Sequence, residues 1–140
     1  MKPDAATPVT SPAVRRFVRD TLGCGCPDEV LDRIDVFTRP DEALTELRVG
    51  GRLLVHVRPF PEVTGLDESL SRWLGAGVAL RDRFGFNRFR LVLLTTDPEG
   101  QRNAAETRFQ CLGADSKTHL HLIRPEDAGA LGPAVPRLPA

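Results

Sequence analysis

The chain lacks an excess of charge of either sign, and it contains no run of five like charges. Its 19 lysine and arginine side chains are balanced by 19 aspartate and glutamate side chains. Nucleic-acid-binding and membrane-surface proteins usually concentrate basic charge, so we expect no nucleic acid and no membrane among the partners. Lysine itself is scarce, since Lys2 and Lys117 are the only two. The remaining cations are arginines, which pair well with carboxylates and phosphates.

The first twenty residues lack the apolar segment that a secretory signal or a membrane span requires, so we expect a cytoplasmic protein. Cysteine is also rare, with three residues in the chain. In a reducing compartment we expect Cys24, Cys26 and Cys111 to be thiols, metal ligands or small core residues rather than a disulfide framework. The sequence also shows no Ser-His-acid triad, paired-carboxylate spacing or nucleotide fingerprint, which gives hydrolase and kinase functions little support.

The chain is long enough for one domain, because 140 residues with 41% hydrophobic content can bury a core. We predict a flexible tail over residues 1–10, a single α/β domain over 11–125 and a Pro-rich flexible tail over 126–140. The apolar periodicity predicts two short helices and three strands in a meander, followed by helix, strand, helix and strand. Because strands joined by helices run parallel, we expect a mixed β-sheet of about five strands, an antiparallel meander plus a parallel βαβ part, with helices packed on it.

Alternation along the strands assigns side chains to faces of the sheet. The strands are predicted over residues 33–38, 45–49, 52–58, 89–94 and 118–123. The pair Gly50-Gly51 is typical of a two-residue hairpin turn. Leu54, His56 and Arg58 fall on the more polar face of the third strand, and His119 and His121 share one face of the last. A long helix is predicted over 66–84, closed by Gly85 in a left-handed conformation.

The most informative motif places Cys24 and Cys26 on either side of Gly25, with Pro27 next. Proline suits the first turn of a helix, and a helix N-terminus favours the thiolate form of a nearby cysteine. We therefore consider both cysteines candidate catalytic residues, with Cys26 the more thiolate-like and Cys24 the resolving partner. A disulfide across so short a loop would be strained and easily reduced, which suits a redox role.

The same two thiols could instead hold zinc or iron, for which His119 and His121 are the candidate further ligands, followed by Cys111 and His56. One intervening residue is not the usual spacing of zinc or thioredoxin-like sites. The alternative without a site is that the glycines turn the chain and both cysteines are small buried hydrophobes. Cys111, near the end of an amphipathic helix, is predicted to lie in the core.

The segment around the motif, from Phe17 through Leu22-Gly23-Cys24-Gly25-Cys26-Pro27 to Val30, resembles a small bacterial protein family that carries an LGCGCP loop near its N-terminus. The resemblance covers about a tenth of the chain. It implies no activity, cofactor or partner.

Two further functions remain open. Open α/β sheets bind ligands at the carboxyl ends of parallel strands, where Arg58, Thr95, Thr96 and Arg124 could hold a small anionic ligand. Alternatively, the protein is a non-catalytic module that forms a homodimer or binds a protein partner. Such a module could use its edge strand and its larger aromatic side chains, Phe60, Trp73, Phe84 and Phe86.

Overall fold

The structure is a computed structural model that describes residues 7–9, 12–23, 25, 27–61 and 65–136. Its centre is one six-stranded sheet in the order β1-β2-β3-β4-β5-β6. The strands are β1 (Thr7–Val9), β2 (Ile34–Arg39), β3 (Leu44–Val49), β4 (Leu53–Pro59), β5 (Arg88–Leu94) and β6 (Thr118–Ile123). Strands β1 to β4 pair antiparallel, and β4, β5 and β6 pair parallel. The predicted mixed α/β sheet, a meander followed by a parallel part, is confirmed.

The helices are α1 (Pro12–Arg16), α2 (Asp28–Leu31), α3 (Leu66–Phe84) and α4 (Pro98–Cys111). A π-helical turn, Phe17–Thr21, follows α1, and the amide of Leu22 closes it with a 3.1 Å bond to the carbonyl of Phe17. Gly85 ends α3 with a φ of 75°, as predicted. In the described part of the chain, no helix combines the length and the apolarity that crossing a membrane requires.

Each face of the sheet has its own core. On the first face, α1, the π-helical turn and the segment after β6 cover an apolar cluster that includes Leu53, Val55 and Val57 of β4. On the second face, α3 and α4 cover a cluster around Phe89 and Leu54. The side chains of β4 therefore alternate between the two faces as predicted, and His56 lies on the face that α3 covers.

Two elements lie inside the segments for which the sequence predicts flexible tails. Strand β1 falls within residues 1–10, and 3-10 turns over Pro125–Ala134 fall largely within 126–140. The turns bury Ala128 and Leu131 in the cluster of the first face. The apolar side chains of these turns are too few to form a periodic pattern, which is why the sequence predicts a tail there.

The prediction that Cys111 is a core residue is wrong, because its side chain is exposed at the end of α4. The buried stripe of α4 runs through Ala105 and the partly buried Phe109, four residues apart. Cys111 follows Phe109 by two residues, a rotation of about 200° around the helix axis, and therefore lies on the opposite side.

The β3–β4 hairpin is longer by one residue than the sequence predicts. Val49 pairs with Leu53, so the turn contains Gly50, Gly51 and Arg52 rather than two glycines alone. The extra residue shifts the register and places Glu46 directly opposite His56.

Candidate functional site

The two cysteines of the predicted thiol site, Cys24 and Cys26, lie outside the described residues, but three of their neighbours are described. Gly23 has a φ of 70°, a left-handed conformation that favours glycine. Pro27 accepts the first backbone hydrogen bonds of α2 through its carbonyl. Helix α2 is a single turn of four residues. Because the helix dipole is a sum over aligned peptide units, α2 supplies little of the positive field that the sequence argument assigns to it.

Gly25 and Pro27 line a cleft of about 470 Å³ at the amino ends of the three parallel strands. The cleft is also lined by the charged or polar side chains of Arg52, Asn87, Arg88, Arg90 and His119, and by the apolar side chain of Leu53. None of the described lining residues is acidic. Gly25 and Pro27, the described neighbours of the two cysteines, therefore border a cavity whose described charges are positive.

Arg90 is the most firmly held cation of this cleft. Its Nη1 donates to the carbonyl of Leu22 at 2.9 Å and to Nε2 of His121, also at 2.9 Å. Its Nε is buried and has no partner within the described residues. Burial, with a further contribution from Arg88, lowers the pKa of Arg90. The guanidinium is thus fixed between the sheet and Leu22, two residues before Cys24.

His119 and His121 lie on the same face of β6, as predicted, and each is next to an arginine of β5. Nε2 of His119 is 3.4 Å from Nη1 of Arg88. Burial, then the charges of Arg90 and Arg88, lowers the pKa of His119. Burial, then Arg90 and His119, lowers the pKa of His121 to about 4. Both rings are neutral at pH 7, so that Nε2 of His121 accepts a hydrogen bond from Arg90.

These contacts bear on the metal alternative. Among the described residues, no three histidine, cysteine, aspartate or glutamate side chains are grouped as metal ligands would be. The Nε2 atoms of His119 and His121, one of the two nitrogens through which each ring could ligate a metal, face guanidinium groups instead. His56 is on the other face of the sheet, beneath α3. The described candidates therefore do not converge on one point.

The predicted anion site at the carboxyl ends of the strands contains residues that already have protein partners. Arg124 donates to the carbonyl of Thr96 and to the carboxylate of Glu99, both at 2.8 Å. The hydroxyl of the buried Thr95 accepts a hydrogen bond from the amide of Asp97 at 3.2 Å. The carboxylate of Glu99 thus occupies a position that an anionic ligand of Arg124 would need.

Arg58, the other arginine of that predicted site, is buried on the α3 side with 6% of its surface exposed. Its Nη1 donates to the carbonyl of Glu42 at 3.2 Å, and its guanidinium lies 4.9 Å from the ring centre of Trp73. Burial lowers the pKa of Arg58. These contacts anchor the side chain beneath α3, and anion binding by Arg58 and Arg124 stays a prediction.

A buried, hydrogen-bonded pair of side chains, Glu46 and His56, lies on the same face. Nε2 of His56 is 2.9 Å from one carboxylate oxygen of Glu46, and Nε of Arg48 donates to the other oxygen at 2.6 Å. Burial alone would raise the pKa of Glu46, but the hydrogen bonds from His56 and Arg48, together with the charge of Arg48, outweigh it and lower the pKa to about 2. Burial lowers the pKa of His56, against the opposing effect of Glu46. The neutral ring therefore donates from Nε2 to an ionised carboxylate.

The aromatic side chains proposed for a dimer contact are divided between core and surface. Phe60, Trp73 and Phe86 are partly buried against the cluster of the α3 face. Phe84 is 50% exposed, and the guanidinium of Arg48 lies 4.9 Å from its ring centre. One exposed phenylalanine with a stacked arginine does not define an interface, and the homodimer stays a prediction.

The sequence interpretation missed Arg52, Arg88 and Arg90 as site residues. One signal was available: Arg90 interrupts the apolar run of β5, which is covered on both faces. A charged residue in a central strand requires a partner or a cavity. The sequence contains no such signal for the position of the cleft. The alternation of apolar residues along a strand predicts which face of the sheet a side chain occupies, but it does not predict which loop crosses the end of the strand.

The chain matches no protein-family model. A search of curated protein sequences also finds no similar protein. The geometry of the cleft and its neighbours is therefore the basis for assigning a function.

Proposed function

We propose that Cys24 and Cys26 form a reactive dithiol site whose thiolates are stabilised by the arginines of the neighbouring cleft. The observation that carries the proposal is that Gly25 and Pro27, on either side of Cys26 in sequence, line the cleft together with Arg52, Arg88 and Arg90. Positive charge near a thiol favours the thiolate, which is the nucleophilic form. The arginines thus supply the positive charge near the thiols that the single-turn helix α2 does not.

The chemistry open to such a site is exchange with a disulfide substrate. One protein thiolate attacks a substrate sulfur and forms a mixed disulfide, and the other substrate sulfur leaves as a thiolate. The second protein thiol, as its thiolate, then attacks the mixed disulfide, closes a bond between Cys24 and Cys26, and releases the remaining substrate sulfur. Two electrons pass from the protein to the substrate, and a separate thiol reductant must return them.

The cationic surroundings favour the dithiol over the metal alternative. A divalent cation bound to Cys24 and Cys26 would have to share the site with the charges of Arg88 and Arg90. A thiolate gains from the same charges. The metal alternative nevertheless makes a distinct prediction, because bound zinc or iron would shield the two thiols from alkylation.

The test compares the thiols of the turn with Cys111, an exposed thiol in the same chain. Iodoacetamide alkylation is measured against pH in a Cys111→Ser variant, which retains the turn, and in a Cys24→Ser/Cys26→Ser variant, which retains Cys111. We expect at least one thiol of the turn to titrate below the ordinary value of about 8.5, because nearby arginines stabilise its thiolate. At pH 7 it should then react faster than Cys111.

Elemental analysis of protein purified anaerobically without an affinity tag completes the test. Little metal together with a fast thiol in the turn supports the dithiol. Near-stoichiometric zinc or iron with both thiols shielded would replace the dithiol with the metal alternative. Thiols in the turn that react no faster than Cys111 in metal-free protein would contradict the proposal.

A further inference from the structure

The three arginines of the cleft have no described carboxylate beside them, in contrast to Arg81, Arg108 and Arg124. Arg81 forms a two-pronged pair with Asp115, with contacts of 3.0 and 2.8 Å. Arg124 pairs with Glu99 at 2.8 Å, and Arg108 pairs with Asp67 at 2.8 Å. A second cleft of about 470 Å³, at the β3–β4 hairpin, mixes acidic and basic residues: Glu29 and Asp35 with Arg33 and Arg48.

The cleft therefore brings positive charges together, and none of its described lining residues is acidic. Arg88 and Arg90 lie two residues apart on one face of β5, and Arg52 ends the hairpin turn just before β4. The backbone joins the two segments, since the amides of Asn87 and Arg88 donate to the carbonyl of Arg52 at 2.8 and 3.2 Å. Like charges held together in this way repel, and an anion bound among them relieves the repulsion.

Arg90 is also arranged in advance for a ligand. The carbonyl of Leu22 and Nε2 of His121 both contact Nη1, which fixes the plane of the guanidinium. Its buried Nε lacks a described partner, and burying an unpaired donor costs free energy. A rigid arginine loses little side-chain entropy when it binds an oxyanion.

We propose that this cleft binds a small organic molecule bearing oxyanion groups, either phosphate or carboxylate, with at least two negative charges. The three arginines match a ligand of more than one charge, and Asn87 and His119 add neutral hydrogen-bonding groups. The volume of about 470 Å³ is typical of small-molecule sites and larger than a free phosphate needs. Leu53 and Pro27 supply apolar surface for the rest of the ligand.

The anionic molecule would be the substrate of the proposed thiol site. Its reaction at the thiols rests on the proposed function, whereas its binding does not. A substrate of the dithiol would be held by its anionic groups at Arg88 and Arg90 while its disulfide reacts at the turn. Binding itself requires the arginines and not the thiols, so the two proposals can fail separately.

The experiment measures binding of pyrophosphate and of succinate by isothermal titration calorimetry at constant ionic strength set with chloride, with neutral succinamide as the control compound. We expect at least one of the two anions to bind, and its identity distinguishes phosphate from carboxylate recognition. Arg90→Met should weaken that binding at least about tenfold, since a charge-assisted hydrogen bond is lost. Arg88→Gln removes an exposed side chain and should weaken binding several-fold without impairing folding.

The matched control is Arg108→Gln, which removes an arginine on α4, the helix that covers the other face of the sheet. We expect its affinity to equal that of the unmodified chain. Absence of binding by both anions, or binding that Arg88→Gln and Arg90→Met leave unchanged, would overturn the inference. The Cys24→Ser/Cys26→Ser variant should bind as the unmodified chain does. Anion binding by a protein whose thiols are no more reactive than Cys111 would contradict the dithiol proposal and support this inference. Reactive thiols in a protein that binds neither anion would support the dithiol proposal and contradict this inference.

Discussion

Glu46→Ala is expected to lower the free energy of unfolding by about 2–3 kcal/mol, because a buried donor loses its acceptor and a hydrogen bond to a charged group is lost. Glu46 and His56 are each 1% exposed, and Glu46 accepts hydrogen bonds from both His56 and Arg48. Without the carboxylate, Nε2 of His56 keeps its proton in the core with no acceptor. Nδ1 of the same ring already lacks a described partner, so the ring would have neither nitrogen bonded.

The same pair predicts a pH dependence. In the unfolded chain the carboxyl of Glu46 has its ordinary pKa of 4.5, whereas in the folded protein the pKa is about 2. As the pH falls through this interval, the unfolded chain takes up the proton first, and the free energy of unfolding decreases. Glu46→Ala lacks this contribution. The difference in stability between the unmodified chain and the variant is therefore expected to shrink between pH 4.5 and about pH 2.

Urea unfolding followed by the fluorescence of Trp73, the single tryptophan, measures both effects. Glu106→Ala, which removes an exposed glutamate from α4, is the control and should change the stability by less than about 0.5 kcal/mol. The double variant Glu46→Leu/His56→Leu should lose less than the sum of its single variants, because it removes both polar partners together. A loss of less than about 1 kcal/mol in Glu46→Ala would show that the pair is not coupled as described.

Gly77→Ala is expected to destabilise the protein by about 1–3 kcal/mol, the range for overpacking a filled core. A Cβ atom at Gly77 would lie 2.1 Å from Cζ of Phe89, so α3 approaches β5 too closely for any side chain there. Phe89 is fully buried and meets the ring of His56 edge-on, with 5.1 Å between the ring centres. The displaced ring would therefore disturb the Glu46–His56 pair as well.

The chain offers a matched control two residues away. Gly75 belongs to the same helix but is exposed, and a Cβ atom there would meet no atom within 4 Å. Both substitutions improve helix propensity equally, so Gly75→Ala should raise the stability by about 0.5–1 kcal/mol. Phe89→Leu should recover part of the loss in Gly77→Ala by making room for the methyl group. Equal effects of the two alanine substitutions in thermal and urea unfolding would contradict the close approach of α3 to β5.

Much of this fold could be predicted because its signals are local. The alternation of Leu53, Val55 and Val57 assigned the faces of β4, and the end of α3 at Gly85 followed from a glycine after an amphipathic run. The parallel pairing of β4, β5 and β6 followed from the helices between them.

The sites could not be predicted because they depend on single-residue offsets and long-range packing. A third residue in the β3–β4 turn decides whether Glu46 faces His56, and two glycines at the turn do not reveal it. Arg90 reaches the carbonyl of Leu22, which follows the π-helical turn, across 68 positions of sequence, and no local pattern reveals such a contact. The thiol motif was visible in the sequence, whereas the arginines that surround its neighbours required the fold.

The proposed dithiol site requires that the arginines of the cleft control the chemistry of Cys24 and Cys26. The most direct measurement is the ratio of alkylation rates with anionic iodoacetate and neutral iodoacetamide at low ionic strength, where charge steers association most strongly. We expect a higher ratio for the turn, measured in Cys111→Ser, than for Cys111, measured in Cys24→Ser/Cys26→Ser, and a fall in the turn's ratio when Arg88→Gln is added. Equal ratios at the two positions, or a ratio that Arg88→Gln leaves unchanged, would contradict the account.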